Sequence, residues 1–196
     1  HKFPAPQVTC WVVPFAEPSA AAFREGARLG HWLKATDGSP LQVRWWQGTG
    51  ALLNITSQEA RKWMERRLRR LMLTVEVDGF KFDAGESAFV PKGSLLLPNN
   101  YATEWARFAA ALGGASEVRS AHRSYDAGVW IREFDKDSRW DEHNGLRSLV
   151  ISALHMGVVG YPFVLPDMVG GNAYASAEQS PDELDTEGYT DGVTTS

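Results

Sequence analysis

The chain is poor in cysteine, in net positive charge and in long apolar runs. Cys10 is its one cysteine among 196 residues, so no disulfide can form within the chain and the redox compartment stays open. It lies in the apolar stretch VTCWVVP and reads as a small buried hydrophobe. Lysine and arginine (20) are outnumbered by aspartate and glutamate (24), and the net charge of −4 argues against nucleic acid or an anionic membrane as partner. No apolar run approaches the roughly 20 residues that cross a bilayer, and no signal peptide is visible in the residues present. There is no internal repeat and no glycine-rich phosphate loop. Neither lysine nor arginine occurs after Arg147. From Asn172 the chain carries Glu178, Asp182, Glu183, Asp185, Glu187 and Asp191 without any period, which predicts a disordered or truncated end.

What remains has the profile of a soluble globular domain, 43% hydrophobic and 22% charged, and is long enough to bury a sizeable core. Eight tryptophans is a high number; most are expected in the core, some beside a ligand. The sequon Asn54-Ile55-Thr56 carries weight only in the secretory pathway. A start at His1 reads as a piece of something longer.

Five segments read as strands: QVTCWVVP (7–14), VDGFKFD (77–83), SEVRSA (116–121), GVWIREFD (128–135) and YPFVLPD (161–167). Between them lie helical patterns. Over 57–73, Ala60, Trp63, Met64, Leu68, Leu71 and Met72 make one apolar face, with Thr56 and Glu59 as the expected capping box. Its arginines and lysine (Arg61, Lys62, Arg66, Arg67, Arg69, Arg70) read as a solvated outer face. A second helix is expected over 100–114, capped by Asn99 or Asn100 and stopped by Gly113-Gly114. A third, over 145–159, is apolar nearly all round and is expected to be buried on more than one side. Strands alternating with helices predict an α/β fold with a parallel sheet.

Asp83, Asp135 and Asp167 each close one of the strand segments. In a parallel barrel or open sheet, strand C-termini converge on one rim, where ligands bind. Like charges gathered there repel and raise each other's pKa, a poor arrangement for stability and a good one for acid/base and nucleophilic chemistry. Such acids can also bind a metal or cap the next helix.

The segments VDGFKFDAGES, EVRSAHRSY followed by IREFDKDSRWDEHNGLRSL, and GYPFVLPDMVGGNAY, in that order, resemble glycoside hydrolase family thirty-one. The likeness is greatest to its myogenesis-regulating glycosidase branch, whose nucleophile motif reads Lys-Phe-Asp-Ala-Gly-Glu. It covers residues 7–174. The resemblance implies a (β/α)8 TIM barrel and retaining hydrolysis of α-glycosides with no metal and no cofactor. It begins near the family's third barrel strand and ends just after the seventh. The chain is therefore expected to be an incomplete barrel, roughly strands 3 to 7, with 1–174 as a partial catalytic domain and 175–196 as an acidic tail. A complete barrel takes about 250 residues.

Carried over by motif, Asp83 resembles the nucleophile and Asp135 the general acid/base, with Asp137 and Asp141 as neighbouring rivals. Glu86 resembles the supporting acid after the nucleophile. Arg119, Trp46 and Asp167 resemble residues of the sugar pocket. The chain departs from the common family pattern at Gly85, where the family has Asn, and at Arg132 and Phe134, where it has Trp and Gly. Val13 stands where the family has a polar residue. The changes at Gly85, Arg132 and Phe134 are expected to reshape the pocket, turning the reading from an α-glucosidase towards an α-galactosidase, with Arg132 counted among the substrate contacts. The alternatives are an α-glucosidase or sulfosugar-cleaving relative, and a catalytically silent carbohydrate-binding or regulatory homologue. The resemblance also implies a secretory-lumen location on a single-pass membrane parent. The expected partner is an α-glycoside, without nucleic acid.

Overall fold

The computed structural model of the chain describes residues 7–90, 100–113 and 115–172. Its elements in chain order are β1 (Thr9–Val12), β2 (Phe15–Ala16), α1 (Ala21–Leu29), β3 (Gln42–Trp45), β4 (Gly48–Leu52), α2 (Gln58–Val75), β5 (Gly79–Phe82), α3 (Asn100–Ala111), β6 (Glu117–Val118), β7 (Trp130–Arg132), α4 (Leu146–Val158) and β8 (Val164–Leu165). All five expected strands form, and they make one parallel sheet in the order β1-β5-β6-β7-β8. Each strand lies beside the next in the chain and the order never reverses. That is the arrangement of a barrel arc; a doubly wound sheet would reverse at a switch point. The fold is thus α/β and part of a (β/α)8 barrel. The acidic tail at 175–196, and the boundary drawn at 174, lie outside the described residues.

The apolar side of the sheet explains its stability. Phe80 and Phe82 alternate with Lys81, so both rings point to the helix side, and both are fully buried. Phe82 meets Trp105 and Phe108 of α3 edge-on at 5.0 and 5.9 Å between ring centres. Val118 and Ile131 continue this layer across β6 and β7. Burying one such ring contributes about 1.5–3 kcal/mol.

Between β1 and α2 the chain makes an excursion that strand and helix patterning did not announce. It contains α1 and a small antiparallel sheet ordered β2-β4-β3. Trp45 pairs with Gly48 across a two-residue turn formed by Trp46 and Gln47, and Gly48, which re-enters the strand, has a positive φ of 136°. The excursion has its own core around Trp32, which packs edge-on against Trp63 of α2.

Three expectations for the helices are corrected. Ser57, not Thr56, caps α2: its Oγ accepts the Ala60 amide at 3.3 Å and donates to Glu59 at 3.0 Å. Thr56 donates instead to Asn54, 2.7 Å away. Asn100 is the first residue of α3, which ends at Ala111, before the glycines; Asn99 and Gly114 lie outside the described residues. Helix α4 is not enclosed. It packs on β8, while Val150, Ile151, Leu154 and Val158 are 57, 56, 68 and 88% exposed. A helix apolar all round needs neighbours on two sides, and among the described residues β8 is the element it packs on most. The basic face of α2 is solvated as expected, with Arg61, Arg67 and Arg69 paired to Glu104, Glu25 and Glu65.

Candidate active site

The alternation that buries Phe80 and Phe82 turns Lys81 and Asp83 to the opposite, concave face. In the strand register Lys81 neighbours Trp11 and Glu117, and Glu117 neighbours Trp130. The inner face of the sheet therefore holds charges where a barrel interior usually holds branched apolar residues.

Asp83 follows the last residue of β5. One carboxylate oxygen, Oδ1, accepts from Arg132 Nη2 (2.9 Å) and the Ala84 amide (3.0 Å), with Arg119 Nη1 at 3.2 Å. Its Oδ2 accepts from Trp11 Nε1 at 2.8 Å. Each donor comes from a different element, so the carboxylate is fixed from several directions. The chain then leaves the strand through two left-handed residues, Ala84 (φ 55°) and Gly85 (φ 88°). A Cβ at Gly85 would stand 2.1 Å from Trp105 Cδ1. Gly85 therefore answers to the helix side of the sheet, and the expectation that it reshapes the sugar pocket is corrected.

Arg119, just after β6, holds Glu86 through Nε and Nη2, both at 2.7 Å from Oε1. Its guanidinium lies between two exposed rings, 4.8 Å from the centre of Trp46 and 5.7 Å from that of Phe134. Trp46 reaches this place because the hairpin turn of the small sheet leans over the rim. Asp83, Glu86, Arg119 and Trp46 are thus brought together as the motifs implied.

Arg132 is the hub. Its side chain is 2% exposed and touches four carboxylates: Asp83 and Asp167 at 2.9 Å, Glu117 at 3.1 Å and Asp135 at 3.4 Å. Asp167 is equally enclosed, 3% exposed, and also accepts from Lys81 Nζ at 2.9 Å. Burial opposes the charge on Asp167. The hydrogen bond from Lys81, the Arg132 charge and the link to Asp135 outweigh it and hold the carboxyl below its usual range. Glu117 goes the other way, raised by burial against the pull of Arg132 and Lys81.

Asp135 lies at the open side of this cluster, its side chain 53% exposed. Its pKa is raised, first by partial desolvation, then by the charge of Asp167 and a hydrogen bond with it, against Arg132 and Arg119. Desolvation leads, and among the acids of the rim Asp167 is the one that raises it further. The two rivals are engaged elsewhere. Asp137 pairs with Arg139 at 3.0 Å, and Asp141 accepts the amides of His143 and Gly145 at 3.0 and 3.1 Å.

Sequence reasoning missed Trp11, Lys81 and Glu117. The signal was the alternation itself: each occupies an inward position of a strand already recognised. Among the described residues, no set of His, Cys, Asp and Glu side chains is arranged to hold a metal ion. Val13 packs against the apolar core.

A parallel arc of strands with acids, guanidiniums and aromatic rings on its C-terminal rim defines a protein of the (β/α)-barrel class with its site in the usual place. Residues 5–184 match the glycosyl hydrolases family 31 TIM-barrel domain, and the chain belongs to that family. It is 40% identical over 173 residues to the myogenesis-regulating glycosidase of Mus musculus, covering 85% of this chain and 24% of that protein. It is 32% identical over 172 residues to the SITS-binding protein of Tetronarce californica, covering 81% and 24%. A sulfoquinovosidase of the family from E. rectale, solved with an aza-sugar inhibitor, superposes with a TM-score of 0.77 at 20% identity, over 91% of this chain and 29% of that one. The chain spans about a quarter of the length of the curated relatives it matches.

Proposed function

We propose that the protein carrying this chain is a retaining α-glycosidase with Asp83 as nucleophile and Asp135 as general acid/base. The observation that supports this most is one buried guanidinium, Arg132, joining a firmly held carboxylate, Asp83, to a more exposed one, Asp135, whose pKa is raised. The contrast suits two roles. A nucleophile gains from being fixed in place, and an acid gains from keeping its proton near neutral pH.

In the first step Asp83 attacks the anomeric carbon. A bond forms to its carboxylate oxygen as the glycosidic C–O bond breaks, and the Asp135 proton passes to the leaving oxygen. In the second, Asp135, now a carboxylate, takes a proton from water while the water oxygen displaces Asp83. Two inversions return the α configuration. Trp46 offers an aromatic face for the apolar C–H face of the sugar, and Arg119, held by Glu86, completes that wall.

The substrate we favour is a neutral α-galactoside, on the strength of the family branch. Arg132 is matched by carboxylates on every nitrogen, which speaks against its use as a receptor for a sulfonated sugar. We read Arg132 and Asp167 as groups that position the catalytic acids rather than as substrate contacts. The branch also favours a secretory-lumen location on a membrane-anchored parent. Among the described residues no helix is long and apolar enough to cross a membrane.

A second reading has its own observation: the relative from Tetronarce californica is named for binding a ligand. One experiment separates the two. The protein is incubated with an α-galactose-configured mechanism-based inactivator, its intact mass measured and its peptides mapped. The expected result is a single adduct on the peptide that contains Asp83. An adduct on another acid would overturn the assignment. No adduct with either galacto- or gluco-configured reagent would favour the silent binder.

A further inference from the structure

We propose that Asp167, fixed by Lys81 and Arg132, is the positioning residue that holds the proton on Asp135 between catalytic cycles. This rests on the reading of Asp135 as the acid/base.

The geometry begins with Arg132 Nη1, which serves both acids: Asp167 Oδ1 at 2.9 Å and Asp135 Oδ1 at 3.4 Å. Two oxygens held on one nitrogen are brought close to each other. Two carboxylates so placed repel, and the repulsion is relieved when one of them carries a proton and donates it to the other. The surroundings decide which. Asp167 is enclosed, with a side-chain exposure of 3%, and has a second cation, Lys81 Nζ, at 2.9 Å. Asp135 has the longer contact to Arg132 and no lysine. The proton therefore belongs on Asp135, donated towards Asp167, and the directions of their shifts agree: Asp135 raised, Asp167 lowered.

The groups facing this pair from the surrounding elements are few. From β5 comes Lys81, with Asp83 just beyond it; from β6 come Glu117 and, after it, Arg119; from β7 comes Arg132. Lys81 and Arg132 favour charge on Asp167, whereas Arg119 and Arg132 favour charge on Asp135. Lys81 is the cation that acts on Asp167 without being among the groups that act on Asp135, so it biases the pair. An acid poised by a neighbouring carboxylate regains its proton after each turnover without needing an apolar pocket around it, which suits a group as open to water as Asp135.

The test is the pH dependence of kcat/KM in the protein carrying this chain, measured with α-glycosides of graded leaving-group acidity. The alkaline limb reports loss of the acid's proton. Asp167→Asn removes the negative charge that holds this proton, so the limb should move towards acid by on the order of one pH unit. Lys81→Met leaves the Asp167 charge less compensated, so the limb should move the other way. A purely structural role would lower activity in both variants without moving the limb in opposite directions. If Asp167→Asn does not fold, Lys81→Met decides alone, and a limb that stays put or moves towards acid overturns the inference. Asp135→Asn is the control for the underlying reading: it should impair substrates with poor leaving groups far more than activated ones. If it impairs all alike, Asp135 is not the acid and both conclusions fall. If it behaves as an acid while neither other variant shifts the limb, only the role of Asp167 falls.

Discussion

The two faces of strand β5 are built from alternate residues of one short segment, yet they follow opposite rules. On the helix side, Phe80 and Phe82 are fully buried, with Trp105 and Phe108 closing over Phe82. On the concave side, Lys81 and Asp83 enter a group of charges in which Arg132 alone touches four carboxylates. The apolar face stabilises by excluding water. The charged face incurs desolvation that its ion pairs offset only while every partner is in place. The two faces thus stabilise by different means across a single backbone, and a change on the apolar face should leave the chemistry of the charged face largely intact.

That separation can be tested from both sides. The largest effect is expected from Asp83→Asn, which should lower kcat by about 10⁴-fold or more in steady-state kinetics, and should also lower the melting temperature followed by circular dichroism, because buried Arg132 loses a carboxylate partner. On the opposite face, Trp105→Ala should cost about 3–5 kcal/mol in chemical denaturation, with kcat kept in the molecules that stay folded. Gly85→Ala touches the border between the faces. It forces a left-handed conformation and a contact with Trp105, and should cost about 1–3 kcal/mol from the backbone alone, with further loss from the clash.

Acid titration sharpens the comparison within the charged face. Asp167 is held below its ordinary value of 3.8, so the folded state releases its proton more readily than the unfolded chain does. Its contribution is present above that value and is lost as pH falls through the folded pKa. Glu117 is raised above 4.5, so its contribution has the opposite sign: it is present at low pH and is lost as pH rises from about 4.5 through the folded value. Asp167→Asn should therefore flatten the loss of stability below pH 3.8, and Glu117→Gln should flatten the loss above 4.5; unfolding followed across pH checks both. The smallest effect is that of Ser57→Ala, far from either face, at about 1 kcal/mol from the lost cap.

Much of the fold was legible because its signals are local. Each of the five parallel strands carries its own apolar alternation or run, and α2 its own stripe. The small antiparallel sheet was not legible, since β2 has two residues and β4 is rich in glycine and alanine. Helix α4 misled for a different reason. Its apolar surface reports what it can pack against, and among the described residues Val150, Ile151, Leu154 and Val158 stay exposed. In the site, Asp83 and Arg119 were readable from motif and strand position. Lys81 and Glu117 were hidden because a lone charged residue in a strand ordinarily points to solvent, and only barrel curvature encloses it. The burial of Arg132 was hidden for the same reason: its sequence shows a cation, while its enclosure depends on what the neighbouring strands bring.

By itself, the sequence determined the strands, the major helices, the apolar face and the acids at the strand ends, since periodicity and turn residues act within a few positions along the chain. The tertiary structure decided which charges meet. Arg132 and Asp83 are 49 residues apart, and Lys81 and Asp167 are 86 apart. Their pairing follows from parallel registers and sheet curvature, which no local pattern encodes. The raised pKa of Asp135 has the same origin, because a proton's affinity is set by the neighbours that folding delivers.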